Sequence, residues 1–195
     1  SVFKGCSNLT TLNIGESVKT IPAGAFINCT GVTEVTIPNS VTSIGVQAFE
    51  GCTGLTSVTI PNSVTEIGDA AFSGCTKLNS ITIPEGINKI KDATFQGCTD
   101  LKAVTIPNNV QLIGNEAFSG CNSLTEVTIP NSVSTIGNEA FSGCTGLTTL
   151  NFNAWGCSMG TNVFANCNNL ATLTIGESVE KLSDYVFRDC KSLTT

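Results

Sequence analysis

The chain has 195 residues, of which 12% are charged, with nine Lys and Arg against fifteen Asp and Glu and a formal net charge of −6. The basic residues are scattered, which excludes nucleic acid and insertion into an anionic membrane as partners, since both need clustered positive charge. No histidine is present, so the usual general base near neutral pH is missing, and no stretch approaches the ~18 apolar residues that span a bilayer.

A strict period dominates the chain. Cysteine recurs every 23 residues, at Cys6, Cys29, Cys52, Cys75, Cys98, Cys121, Cys144, Cys167 and Cys190, and phenylalanine keeps the same beat three residues earlier, from Phe3 to Phe187. A fixed period of this size predicts a solenoid, one supersecondary unit stacked on its copies. About eight repeats then make a single domain over residues 1–195. Ser1–Cys6 reads as the tail of one repeat and Lys191–Thr195 as the start of another. Neither end has the polar cap that solenoids need, so the chain is expected to be a fragment.

The repeat starting at Cys52 shows the elements in order. Thr56–Ile60 alternates and is β-branched, which predicts a short strand with Val58 and Ile60 inward. Pro61 ends it, because proline cannot donate to a ladder, and Asn62-Ser63 forms the turn. Val64 and Ile67 point inward from a second extended segment. Asp69–Ser73 is expected as a single helical turn carrying Ala71 and Phe72 inward, too short to stand without packing. The residue before each ladder cysteine is Gly, Asn or Asp, from Gly5 and Asn28 to Asn166 and Asp189. Those three types share a tolerance of the left-handed region, so positive φ is predicted there. A second glycine column, Gly45, Gly68, Gly114, Gly137 and Gly160, is answered by Pro22, Lys91 and Ser183. Proline cannot take positive φ, so glycine there reads as a convenience.

The cysteines fit neither zinc, which wants converging Cys and His ligands, nor a full set of disulfides, since nine rungs cannot all pair. Buried, reduced thiols are expected, with Cys157, off the ladder, as the candidate for exposure.

The run L-x-x-V-x-I-P-x-x-V-x-x-I-G-x-x-A-F-x-G-C resembles a leucine-rich repeat, and more narrowly the BspA-like class of 23-residue repeats, over essentially the whole chain. Leu55, Val58 and Ile60 match the strand positions that build the inner sheet, while the usual asparagine ladder is not evident. The resemblance implies a right-handed solenoid with a parallel β-sheet on its concave face and short strands or single helical turns on the convex side. It also implies an extracellular or cell-surface protein engaged in adhesion or host and cell interaction.

Candidate ligand-binding residues follow from the strand pattern. The outward position between Val58 and Ile60 forms a row, Thr36, Thr59, Thr82, Thr105 and Thr128, and beside it lie Glu34, Lys102 and Glu126. Such a polar strip suits a protein or glycan on a host or neighbouring cell. Equally, Thr suits any solvent-facing strand, and isolated charges keep a surface soluble. A threonine row also raises ice binding, which a single row on a curved sheet disfavours. Asn153–Gly160 breaks the pattern and holds Trp155, the only Trp, with Gly156 where Val belongs. Trp155 either swings inward to fill that gap or is an exposed contact.

Every repeat has the same length, so no insertion makes a lid or cleft, and no phosphate-binding glycine fingerprint occurs. The chain is read as a non-enzyme with no cofactor. The leading function is a macromolecule-binding domain acting through the concave face. The alternative is a structural spacer presenting another domain.

Overall fold

The computed structural model describes residues 3–177, 179, 182 and 184–194, so Ser183 lies outside the described residues. Within them fifteen short strands alternate between two sheets. They are β1 (Leu12–Asn13), β2 (Thr20–Ile21), β3 (Glu34–Thr36), β4 (Ser43–Ile44), β5 (Ser57–Thr59), β6 (Glu66–Ile67), β7 (Ser80–Thr82), β8 (Lys89–Ile90), β9 (Ala103–Thr105), β10 (Leu112–Ile113), β11 (Glu126–Ile129), β12 (Thr135–Ile136), β13 (Thr149–Phe152), β14 (Ser158–Met159) and β15 (Thr172–Ile175). Odd strands build the inner sheet, in the order β1-β3-β5-β7-β9 and then β11-β13-β15, with β9 against β11. Even strands build an outer sheet in two pieces, β2-β4-β6 and β8-β10-β12-β14. All pairings are parallel and shifted by one 23-residue repeat, as in Val35↔Val58 and Ile113↔Ile136. The result is a parallel β-solenoid.

The third face carries no helix among the described residues, which corrects the expected helical turn. Asp69–Ser73 forms part of a chain of overlapping β-turns, in which Ala71, Ser73 and Cys75 donate their N–H groups to the carbonyls of Gly68, Ala70 and Phe72 at 3.2, 3.1 and 3.2 Å. Ala70 sits at φ 52°, and its equivalents Gly24, Gln47, Ala93, Glu116, Glu139, Asn162 and Tyr185 lie at φ 53–60°. Positive φ turns the intervening peptides along the solenoid axis. Ala70, Phe72 and Gly74 then donate to Asp92, Thr94 and Gln96 of the next repeat at 2.8, 2.9 and 2.7 Å. A helix would spend those amides within one turn. Here each bond ties a repeat to its neighbour, and stacking decides the conformation.

The positive φ predicted before each ladder cysteine is present at all nine positions, from 57° at Asn28 to 74° at Gly5. The second glycine column is not a convenience. A Cβ at Gly45 would stand 2.5 Å from the Ala23 nitrogen, and one at Gly160 2.5 Å from the Asn138 nitrogen. The outer strands approach each other there too closely for a side chain.

The core is a rod of repeating contacts. Nine phenylalanines stack from Phe3 to Phe187, with neighbouring centroids 5.0–5.7 Å apart and ring planes within 3–18°. Beside them the thiols climb as a second column. Cys52, Cys75, Cys98 and Cys121 each donate S–H to the carbonyl of Phe26, Phe49, Phe72 and Phe95 at 3.1–3.3 Å. All ten cysteines are free, and seven of them are buried. Burial pushes the Cys52 thiol up to about 12 and holds Cys75, Cys98 and Cys121 well above the usual thiol range. The exposed thiol is Cys6, whereas Cys157 is half-buried and raised by burial to about 11, which corrects the expectation for Cys157.

A polar ladder does exist. The Asp92 carboxylate accepts the Asn115 N–H at 2.8 Å, the Asn115 side-chain carbonyl accepts from Asn138 N–H, and the Asn138 side chain accepts from Thr161 N–H, each at 2.8 Å. It was hidden in the sequence because its rungs mix Asp and Asn and begin only in mid-chain.

Candidate functional site

The inner sheet places each candidate residue by strict alternation. Val35, Val58, Ile81 and Val127 turn into the core and are buried, while Val104 is half-buried. The residues between the inward pair therefore face out: Thr36, Thr59, Thr82, Thr105 and Thr128 are all exposed. The pairing aligns them. Thr36 lies opposite Thr59, Thr82 opposite Thr105, and Thr128 opposite Asn151. Asn13 and Thr174 extend the row at its two ends.

Several hydroxyls elsewhere on the molecule are committed to the backbone. Thr56 and Thr148 donate to the carbonyls of Thr33 and Thr125, one repeat back, at 3.0 and 3.1 Å. On the outer sheet Thr42 and Ser134 do the same toward Lys19 and Gln111, at 3.2 and 3.1 Å. By contrast the hydroxyls of Thr36, Thr59, Thr82 and Thr105 have no partner within the protein, among the described residues. Thr128 accepts from the Asn151 amide at 3.3 Å. The row thus presents a line of unused donors and acceptors at the strand spacing of about 4.8 Å.

The flanking charges differ among themselves. Glu126 takes the Asn151 amide at 3.0 Å. Glu34 and Lys102 are exposed and, among the described residues, their side chains join no ion pair or hydrogen bond. The face is therefore neutral-polar, with one free carboxylate near its start and one free ammonium near its middle.

Shallow polar grooves sit at both ends of the sheet. One, of about 440 Å³, is lined by Thr10, Asn13, Glu16, Thr33, Glu34 and Thr36. The other, of about 540 Å³, is lined by Asn108, Thr128, Asn131, Asn153 and Glu177. The structure brings Glu34 and Thr36 together in the first and places Thr128 in the second. Thr59, Thr82 and Thr105 lie on the open sheet between them. The grooves escaped sequence reasoning, since their walls come from residues of different repeats.

Trp155 does not swing inward. It is 62% exposed, and Ala154 is buried in its stead at 1%. Gly156 takes φ 58°, and Cys157 and Met159 are half-buried. The gap left by the missing valine is filled from Ala154, which frees the indole. Trp155 lines neither groove, so it stands apart from the threonine row.

Among the described residues no three acidic or cysteine side chains converge on a metal position. Among the same residues no helix is long and apolar enough to cross a membrane.

Comparison with known proteins agrees with this geometry. The family model described as the BspA type leucine rich repeat region, in six copies, matches residues 1–125 and 111–195. No curated protein matches the chain. Among solved structures, a leucine-rich repeat protein of T. pallidum is 34% identical, with 78% of this chain and 72% of that one covered and a TM-score of 0.73. A leucine-rich repeat protein of Bacteroides ovatus is 29% identical, with 97% and 61% covered and a TM-score of 0.69. A leucine rich cell surface protein of Faecalibacterium prausnitzii is 26% identical, with 93% and 72% covered and a TM-score of 0.56.

Proposed function

The chain belongs to the BspA-type leucine-rich repeat family, and we propose that it is the macromolecule-binding region of a cell-surface or secreted protein. The concave sheet is the contact surface, and the partner is a protein or glycan on a host or neighbouring cell. One observation carries this reading: the hydroxyls of Thr36, Thr59, Thr82 and Thr105 are unspent in an aligned row, whereas those of Thr56 and Thr148 beside it and of Thr42 and Ser134 on the outer sheet are committed to the backbone. A row of free hydroxyls beside the unpaired Glu34 and Lys102 supports recognition by many shared hydrogen bonds with two charges to set polarity. Surface location is supported by the similarity to the leucine rich cell surface protein of Faecalibacterium prausnitzii. The reading assigns the chain no catalytic step and no cofactor.

Binding of the chain to an array of immobilised extracellular-matrix proteins and glycans tests it. Thr82→Glu and Lys102→Glu should each weaken the interaction at least about tenfold, as a like-charge or desolvation penalty of ~1.4 kcal/mol requires. Binding that survives both substitutions moves the contact off the concave sheet. No binding at all leaves the spacer reading. The turn bonds that run from repeat to repeat support that alternative, because they stiffen the rod.

A further inference from the structure

The outer sheet is interrupted at one level. β6 and β8 are consecutive outer strands, yet they do not pair. Elsewhere two amides tie each outer segment to the repeat before it. Thr65 and Gly68 donate to Thr42 and Ile44 at 2.9 and 2.8 Å. Gln111 and Gly114 donate to Asn88 and Ile90 at 2.9 and 2.7 Å, and Ser134 and Gly137 donate to Gln111 and Ile113 at 2.9 and 2.7 Å. The matching amides of the interrupted level, Asn88 and Lys91, make no such bond to Thr65 and Ile67.

The cause is legible in the side chains. Lys91 occupies the column that holds glycine at Gly45, Gly68, Gly114, Gly137 and Gly160. A Cβ in that column meets the backbone of the preceding repeat, 2.6 Å from the Asp92 nitrogen in the case of Gly114. Lysine cannot shed its Cβ, so the two repeats stand apart at this corner. The opening is a cleft of about 350 Å³ lined by Thr65, Glu66, Ile67, Asn88, Lys89 and Lys91. Phe72 and Phe95, inside the same level, have the widest ring spacing of the stack at 5.7 Å.

The separation spares the turn face. The turn ladder across this level is intact, with Ala70, Phe72 and Gly74 bonded forward at 2.7–2.9 Å. The inner sheet is thinned at the same level: β5 pairs with β7 only at Ser57↔Ser80, where β3 with β5 and β7 with β9 each align three residue pairs. Across the cleft itself the one direct polar link between side chains is Lys91 Nζ to Glu66 Oε1, at 2.6 Å. Orphaned amides and orphaned carbonyls face each other there, which suits bridging water and does not select an anion.

We propose that this corner is a bending joint. The repeats before Ile67 and those after Lys89 are two stiff arms that flex about the turn ladder, with the Lys91 Cβ as the wedge that keeps the joint from zipping shut. Thr59 and Thr82 lie on either side of the joint on the concave face, so its motion changes the curvature offered to a partner.

Site-resolved amide hydrogen exchange on the whole chain tests this. Asn88 and Lys91 should exchange at least about 100-fold faster than Gln111 and Gly114, their equivalents one repeat on. Lys91→Gly should slow both amides to the rate of those equivalents. Lys91→Ala, which removes the ion pair but keeps Cβ, should leave them fast. Gly is already present in this column five times, so the first variant folds as its neighbours do. Protected Asn88 and Lys91 amides in the parent chain overturn the joint. So do unchanged rates in Lys91→Gly, and slowing in Lys91→Ala overturns the wedge.

Discussion

Replacing Ala70 by glycine should stabilise the protein, against the usual rule that alanine outranks glycine in regular structure. Ala70 holds φ 52° in the turn stack, a region that costs an L-residue about 1–2 kcal/mol. Glycine relieves that strain and gives back about 0.5–1 kcal/mol through the greater freedom of its unfolded chain. Ala70 is only half-buried, so its lost methyl subtracts a few tenths, ~0.3 kcal/mol. The net gain is about 0.5 kcal/mol, or roughly 1–2 °C in Tm for a chain of this size. The mirror experiment is Gly74→Ala. Its site has φ 69° and no atom nearer than 3.7 Å to an added Cβ, so strain alone should cost about 1 kcal/mol. Urea titrations monitored by far-UV circular dichroism give both midpoints. If Ala70→Gly lowers the midpoint as it would in a helix, the turn-stack geometry is wrong.

Phe118 is fully buried between Phe95 and Phe141, at 5.3 and 5.0 Å. Phe118→Ala should cost about 3–5 kcal/mol in the same titration, whereas Phe3→Ala, at a 45% exposed site with one stacking partner, should cost about 1 kcal/mol; equal losses would contradict a continuous stack. Asn138→Ala removes the acceptor of the Thr161 amide and should cost about 0.5–1.5 kcal/mol, with faster exchange at Thr161 as its local signature. The Glu66 carboxyl is held below the ordinary carboxylate value by its hydrogen bond to Lys91 and by the Lys91 charge. Its contribution is therefore full above the ordinary carboxylate range and is lost as pH falls through the lowered value. An NMR titration should show the Glu66 midpoint rising to the ordinary range in Lys91→Ala; an unmoved midpoint would mean the pair is not formed in solution.

Much of the fold could be read from residue types that admit one explanation. Nine cysteines and nine phenylalanines in one register leave little besides a stacked rod, and Gly, Asn and Asp before each cysteine share only their tolerance of positive φ. The turn stack was not legible, because its other left-handed position is filled by Gln47, Ala70, Ala93, Glu116 and Glu139. These are good helix formers by intrinsic propensity, and the bonds that overrule them run to the next repeat. The glycine column misled for a related reason. Its demand is steric and comes from a neighbouring coil 23 residues away, so Lys91 looked like tolerance when it marks a break in the outer sheet. On the concave face, strand alternation gave the threonine row directly. Which hydroxyls are free depends on the aim of each side chain at the preceding repeat's carbonyls, and sequence carries no signal for that. Trp155 was open to two readings because nothing in the sequence marks Ala154, two positions before the missing valine, as the residue buried in its stead.

Unbridged thiols enclosed between stacked coils define the core, and alkylation followed by mass spectrometry tests them without any mutation. In denaturant, with no reductant added, all ten cysteines should be modified. In native buffer Cys6 should react first, Cys157 and Cys190 slowly, and the seven buried thiols from Cys29 to Cys167 should stay unmodified over the same period. Fewer than ten modified cysteines in denaturant, or fast native labelling at Cys75, Cys98 or Cys121, would contradict the packing described for the core.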